Sequence, residues 1–477
     1  MVVYELHVAE FKVDFDGVTE QLDYLAGLGV NVIELMPVTE VKEGVEWGYT
    51  PLGFFAPDAR FGDPEGLLRR LVNAAHGKGI AVIHDAVYAH AHPEFAYNLL
   101  YCATGETNPM MGVFAGEFFS QPGTDYTKPF TRDYFIAVNQ FWIDQFHIDG
   151  FRYDYVPGYW DGPTGVGYAA LVYQTYQASK GVPRFQPADG STRSLIVQCA
   201  ENLPDPIGIL ATTYSNCAWQ NSFMDDAIGV ATGRFPLDAF AHQLDPTFMG
   251  YPSAYANAAT GETFPVAPFQ YMVSHDQSRF VCRIAPARLF DLLSEPLGDR
   301  SQFYRLQPFA IALFTAKGIP MLWQGQEFAE DWSLPGYGIG RNLFPRPLHW
   351  EYFYDDWGKA LVRLYRVLGS LRKNLRSLSS RGFYYYYDDA SHRAQGVIAY
   401  RRQADGDGTS PAEDVLVLLN FSAYTGSVWL QFPDGGAWVE QIDNSEPNAA
   451  ATINVGVGGE WHEVQVPSYY GAVYLRT

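Results

Sequence analysis

Four short polar clusters interrupt otherwise apolar runs: His84-Asp85-Ala-Val-Tyr-Ala-His90, Gly150-Phe-Arg152-Tyr-Asp154, Cys199-Ala-Glu201-Asn202 and Ser274-His275-Asp276. Asp154 and Glu201 each close a run of strand character, where a lone carboxylate is costly and a group of shifted pKa is useful. Arg152 stands two residues before Asp154 and so projects from the same strand face, where its charge is expected to keep that carboxylate ionised. Two such carboxyls, one ionised and one protonated, can couple nucleophilic attack to proton donation. A single Asp at a strand end is commonly a helix cap. The weight therefore rests on Asp154, Glu201 and Asp276 occurring together with Arg152.

Positioning these groups requires several strands that end on one face. Strand-like runs are predicted at Val2–His7, Val30–Met36, Ile80–Asp85, Ile148–Tyr153, Leu195–Ala200, Asn221–Met224, Phe269–Ser274 and Ile319–Trp323. Helix-period segments lie between or after them at Val18–Leu28, Pro64–Lys78, Arg132–Phe146, Gly167–Ser179, Tyr304–Ala316 and Asp356–Leu375. Alternation of this kind predicts an α/β protein built as a (β/α)8 barrel, whose site lies at the strand C-termini. The connection from Ala86 to Thr131, about 45 residues without a clear period, is too long for an ordinary loop. It is expected to form an inserted loop or small domain. After Ser380 the texture changes to short alternating runs, at Gly396–Arg402, Val415–Phe421, Ser427–Phe432 and Gly471–Leu475. The expected organisation is a catalytic barrel over 1–379, with the insertion at about 86–131, and a C-terminal β-sandwich over 380–477.

Composition narrows the partners. A net charge of −21 over 477 residues disfavours nucleic acid and anionic membranes and suits a neutral substrate. Aromatic residues make up 16% of the chain, and exposed rings are what the apolar C–H faces of a sugar stack on. The four cysteines have no paired metal or redox spacing, no apolar run could span a bilayer, and MVVYELHVAEF lacks the pattern of a secretion signal. A cytoplasmic enzyme is expected, although a chain that begins inside a strand leaves room for a segment upstream. Oligomeric state is not readable.

In their order and residue types, the four clusters resemble the conserved regions of the α-amylase clan of glycoside hydrolases, family 13. Trp47-Gly48-Tyr49 and Pro320-Met-Leu-Trp-Gln-Gly-Gln-Glu327 extend the resemblance over essentially the whole chain. Tyr4-Glu-Leu-His7, Glu34-Leu-Met-Pro37 and the stretch from Phe54 to Gly62 look most like the branching-enzyme and trehalohydrolase side of the clan. The resemblance implies a retaining enzyme acting on the α-1,4 or the α-1,6 glucosidic bonds of α-glucans or maltooligosaccharides, with Asp154 as nucleophile and Glu201 as general acid/base. Glu201 then needs a raised pKa, a task for desolvation and Asp276. Asp276, His90 and His275 are implied to hold the sugar hydroxyls, Tyr49 to stack below the ring with Trp47 nearby, and Asp85 to support Arg152.

No cofactor is expected. Many α-amylases use an Asn just before the third-strand histidine to bind a structural calcium, and here that position is Ala89. The run His84, Asp85, His90, His92, Glu94 could ligate zinc or manganese by residue type, but the resemblance already accounts for Asp85 and His90. Tyr155 follows the nucleophile where the family has a small residue, and Val156-Pro157-Gly158 replaces a common Lys-His pair, so the acceptor subsites should differ from those of an ordinary α-amylase. Hydrolysis is the favoured reading. A transglycosidase such as a 1,4-α-glucan branching enzyme is the alternative, since both use the same two carboxylates. A non-catalytic carbohydrate-binding relative would normally lack one of the three acids.

Overall fold

Eight short parallel strands hydrogen-bond in sequence order and close on themselves in the computed structural model. They are β1 (Val3–Leu6), β2 (Val32–Leu35), β3 (Ala81–Ala86), β4 (Gly150–Tyr153), β5 (Val197–Ala200), β6 (Cys217–Gln220), β7 (Ala267–Gln270) and β8 (Ile319–Trp323). The structure describes all residues except 43, 45, 115–122, 294, 337, 339, 387–389 and 443–450. Helices such as Pro64–Gly77, Pro129–Phe146, Tyr168–Ser179, Gln307–Thr315 and Asp356–Asn374 cover the barrel, so its strands are buried on both sides. Among the described residues no helix is long and apolar enough to cross a membrane.

Most expected elements appear with trimmed ends, and three differ. The sixth strand is Cys217–Gln220, whereas Asn221–Ala231 is a helix that buries Phe223, Met224, Ala227 and Ile228 along one side. That spacing follows the helical period, and Phe223 and Met224 mimic a strand only when read without Ala227 and Ile228. The seventh strand ends at Gln270, and Tyr271–Ser274 run on past the last barrel pair, Gln270 with Pro320. The helix expected over Val18–Leu28 is two helices, Phe15–Glu20 and Leu22–Gly27, broken at Gln21. In the long connection after β3, a helix spans Ala96–Thr104, and isolated bridges pair His90 with Gly123 and Met111 with Thr124. Residues 115–122 of the expected insertion lie outside the described residues.

The C-terminal part is mainly β, with a short helix at Ala390–Ala394. Strands β9 (Gly382–Tyr385), β10 (Val397–Ala404), β11 (Glu413–Asn420), β13 (Gly436–Glu440), β14 (Thr452–Val455) and β16 (Tyr470–Arg476) form one sheet in the order β9-β10-β11-β16-β13-β14, while β12 (Gly426–Gln431) pairs with β15 (Trp461–Val466). Alternate side chains serve two cores. Ile398, Tyr400, Val417 and Leu419 join the barrel core, whereas Val397, Ala399, Leu416 and Leu418 pack with Val428, Leu430 and Val464 of the small sheet. The second layer of the sandwich is thus two strands wide.

Candidate active site

Backbone register brings the two candidate carboxyls, Asp154 and Glu201, together. Arg152 of β4 pairs with Cys199 of β5 and Tyr153 with Ala200, so Asp154 and Glu201 occupy the next step of the same ladder. Adjacent strands lie about 4.8 Å apart, close to the roughly 5–5.5 Å that a retaining carboxylate pair needs. Gly150 permits the close approach of the two strands, since a Cβ there would fall 2.0 Å from the Val197 carbonyl.

Arg152 is fully buried and binds three carboxylates. Its Nη1 donates to Asp85 Oδ1 at 2.7 Å and to Asp154 Oδ1 at 2.8 Å, and its Nη2 lies 3.0 Å from Glu201 Oε2. The guanidinium carbon also sits 4.3 Å from the centroid of the Trp219 ring. Glu201 Oε2 accepts from the Tyr155 N–H at 2.8 Å, an arrangement reached through a left-handed backbone at Tyr155, φ 40°.

A second group faces this one. His275 lies flat against Tyr49, with ring centroids 5.0 Å apart and planes 18° apart. The Tyr49 hydroxyl donates to Asp85 Oδ2 at 2.6 Å. His275 Nδ1 is 2.5 Å from Glu5 Oε1, and its Nε2 is 3.6 Å from Asp276 Oδ1. Arg341 Nη2 donates to the Asp276 carbonyl at 2.8 Å and to its Oδ1 at 3.1 Å.

Electrostatics follow from crowding acids around few cations. Burial drives the Asp154 carboxyl well above the usual carboxylate range; Arg152 opposes the rise, and Glu201, Asp85 and Asp276 add to it. The sequence expectation that Arg152 alone would keep Asp154 ionised thus omits desolvation and three neighbouring acids. Burial also raises Glu201, against Arg152 and the Tyr155 N–H, with Asp276 adding to the rise. The pair therefore holds a proton more tightly than two separate carboxyls would. Burial would lower His275, but Asp276 and Glu5 lift it to about 9. Burial pushes Asp276 up, yet His275, Arg341 and Arg152 bring it below its ordinary value.

The other expected site residues lie behind this face. His90 is buried, pressed to about 4 by desolvation, and its Nε2 meets the Tyr49 carbonyl at 2.6 Å, so it braces the Tyr49 backbone. Trp47 is 4% exposed; its indole N–H donates to Glu10 at 3.2 Å and its ring meets His275 edge-on. His84 stacks on Trp142 inside the fold, and the exposed Glu94 bonds Lys42, so the His84-to-Glu94 run does not converge on one point. The family's calcium site does not fit either: Ala89 has no side-chain donor, and its carbonyl accepts from the Thr124 N–H at 3.2 Å.

Sequence reasoning assigned no role to Glu5, Glu34, Trp219 or Arg341. Glu5 and Glu34 are opposed in the β1–β2 register, and burial followed by repulsion from Glu5 holds Glu34 well above its ordinary pKa. A charged residue in each of two apolar strands, Val-Tyr-Glu-Leu and Val-Ile-Glu-Leu, was the available signal. Arg341 sits in an irregular stretch far along the chain and had none.

Two family descriptions match parts of the chain: "Alpha amylase, catalytic domain" over residues 10–101 and "Alpha amylase, C-terminal all-beta domain" over residues 387–477. Both matched segments therefore resemble the α-amylase family. Among curated relatives the chain is similar to branching enzymes. It is 28% identical to the 1,4-alpha-glucan branching enzyme GlgB 1 of Xanthomonas campestris pv. campestris, over 96% of this chain and 62% of that protein. It is 27% identical to the GlgB branching enzyme of Rhodospirillum rubrum, over 95% of this chain and 60% of that protein. The chain thus spans about three-fifths of the length of these curated relatives. Its fold matches the α-amylase of Anoxybacillus with a TM-score of 0.74 at 18% identity, covering 100% of this chain and 97% of that one. The Geobacillus thermoleovorans α-amylase complexed with acarbose matches with a TM-score of 0.74 at 19% identity, covering 100% of this chain and 98% of that one. The chain has its cluster of acids at the strand C-termini, where the barrel architecture places a site.

Proposed function

We propose that this protein cleaves α-1,4-glucosidic bonds of α-glucans or maltooligosaccharides with retention, using Asp154 as nucleophile and Glu201 as general acid/base. The observation that carries the reading is Arg152, whose guanidinium aligns Asp154 and Glu201 side by side. Glu201, protonated, gives its proton to the glycosidic oxygen while an Asp154 oxygen bonds to the anomeric carbon, and the leaving sugar departs with a free hydroxyl. Glu201, now a carboxylate, takes a proton from an incoming hydroxyl whose oxygen displaces Asp154. Asp276, paired with His275 and Arg341, remains ionised to hold the sugar hydroxyls, and Tyr49 presents its ring beside them.

The incoming hydroxyl decides the product. Water makes a hydrolase, the favoured reading of the sequence. A glucan hydroxyl makes a transglycosidase, and the branching-enzyme names of relatives aligned along nearly the whole chain support this second reading at least as well. Incubation with amylose and with maltoheptaose separates them by reducing-end assay and by proton NMR of α-1,6 linkages. New reducing ends without branches mean hydrolysis; branches with few lasting ends mean transfer; neither on any α-glucan refutes the proposal. A cytoplasmic location is in keeping with four free cysteines.

A further inference from the structure

The sheet made by β12 and β15 is apolar on one side only. Val428, Leu430, Val464 and Val466 face the core, while the opposite side carries Ser427, Trp429, Gln431, Trp461, Glu463 and Gln465. Trp429 is 54% exposed and Trp461 is 55% exposed. In the ladder Trp429 opposes Glu463 and Gln431 opposes Trp461, so the two tryptophans are diagonal neighbours on one open face, at ladder positions about 7–8 Å apart. Strand propensity accounts for aromatic residues here but not for two large rings left in water side by side.

The backbone beneath them is braced. His392 Nε2 meets the Trp429 carbonyl at 2.9 Å, and the Gln395 side chain brackets Ser427, accepting from its N–H at 2.6 Å and donating to its carbonyl at 2.5 Å. Such bracing keeps the face flat and the rings in place before any ligand arrives, which lowers the cost of binding.

Chemistry on this face selects the occupant. A protein partner would cover a continuous apolar patch with a polar rim, but here Gln431 and Glu463 alternate with the rings. An anion would meet Glu463 and a chain of net charge −21. A neutral polyhydroxylated chain fits both elements, with pyranose C–H faces on the indoles and hydroxyls on the amides of Gln431 and Gln465 and the carboxylate of Glu463. We propose that the outer face of β12 and β15 is a second, non-catalytic binding site for an α-glucan chain. Its choice of glucan rests on the function proposed above. Long polymers held there gain effective concentration at the barrel, whereas short oligosaccharides gain nothing.

The test pairs the Trp429→Ala/Trp461→Ala double variant with a Trp429→Tyr/Trp461→Tyr variant that keeps aromatic rings. Migration through native gels containing amylose, glycogen or xylan is measured, together with kcat/KM on amylose and on maltoheptaose. The unsubstituted protein should be retarded by amylose and glycogen but not xylan. The alanine variant should lose that retardation and about tenfold in kcat/KM on amylose, with turnover of maltoheptaose unchanged, and the tyrosine variant should recover much of both. Equal retardation of wild type and alanine variant, or an equal loss on both substrates, overturns the site while leaving the catalytic reading intact. Retardation by xylan alone, lost in the alanine variant, overturns the α-glucan assignment of this face. Absence of turnover on every α-glucan, with retardation still dependent on the rings, refutes the catalytic reading and not the site.

Discussion

The Tyr155 N–H points at Glu201 Oε2 from 2.8 Å because Tyr155 takes a backbone conformation that side chains other than glycine's seldom adopt, φ 40°. Left-handed backbone at a non-glycine residue is costly and persists where its surroundings enforce it. Here the Tyr155 ring lies over Gly158, where an added Cβ would meet that ring at 2.8 Å and the Ala89 Cβ at 2.7 Å. The small residue at 158 therefore lets the large one at 155 turn its amide toward the acid.

Gly158→Ala should push the Tyr155 ring away and weaken the amide contact with Glu201. Hydrogen bonds to a charged carboxylate lower its pKa, so losing this one raises Glu201. The alkaline limb of kcat/KM should move to higher pH by up to about two units, a bond of this kind being worth roughly 1.5–3 kcal/mol. An unchanged limb in the pH profile would show that the amide does not tune the acid.

Asp154→Asn and Glu201→Gln each remove one half of the two-carboxylate mechanism with little change in volume. Each should lower kcat by more than about a hundredfold with an unchanged circular dichroism spectrum. With an activated glycosyl fluoride, Glu201→Gln should still accumulate an adduct on Asp154, detectable by mass spectrometry. Losses of a few fold in both variants would remove these residues from their roles.

His275 links stability to pH. Its folded value of about 9 exceeds the ordinary 6.5, so its contribution is complete below pH 6.5 and disappears as pH rises through 9. The shift corresponds to roughly 3 kcal/mol at most. Melting temperature should fall between those limits in the wild type and stay nearly flat there in His275→Gln. Parallel curves for the two proteins would contradict the linkage.

Prolonged EDTA treatment should leave rate and melting temperature almost unchanged, because Ala89 supplies no ligand at the family's calcium position. A loss restored by calcium or zinc would point instead to Glu330, Asp331 and His349, whose potential ligand atoms lie within 4.8 Å of one another.

The barrel and the acid cluster were legible in the sequence because strand runs ended in charged residues at one level of the fold: Asp154, Glu201 and the Arg152 between strands β3 and β5. The sixth strand was not legible, since Cys217–Gln220 is only four residues long and runs straight into the helix that starts at Asn221. Arg341 was invisible for a different reason. Its contact with Asp276 spans a sequence separation of 65 residues and is set by an irregular stretch with no period to read. Likewise, Trp47 reads as a ring available to sugar until tertiary packing closes over it.

Two arginines, Arg402 in the C-terminal sheet and Arg372 in the barrel helix Asp356–Asn374, converge on one cluster of barrel carbonyls. Arg402 of β10 donates to the carbonyls of Thr315 and Ala316, both at 2.7 Å, and Arg372 donates to Ala316 at 2.7 Å and Gly318 at 2.5 Å. These carbonyls cluster around the C-terminal end of the helix Gln307–Thr315, where the helix dipole is negative and orphan acceptors need donors. Removing the sheet would take the Arg402 donor from the Thr315 carbonyl and uncover the barrel core that Ile398, Tyr400 and Val417 pack against. The barrel and the sheet therefore unfold as one cooperative unit: calorimetry should record a single transition, and a chain cut near Ser380 should fail to fold rather than yield a smaller stable enzyme.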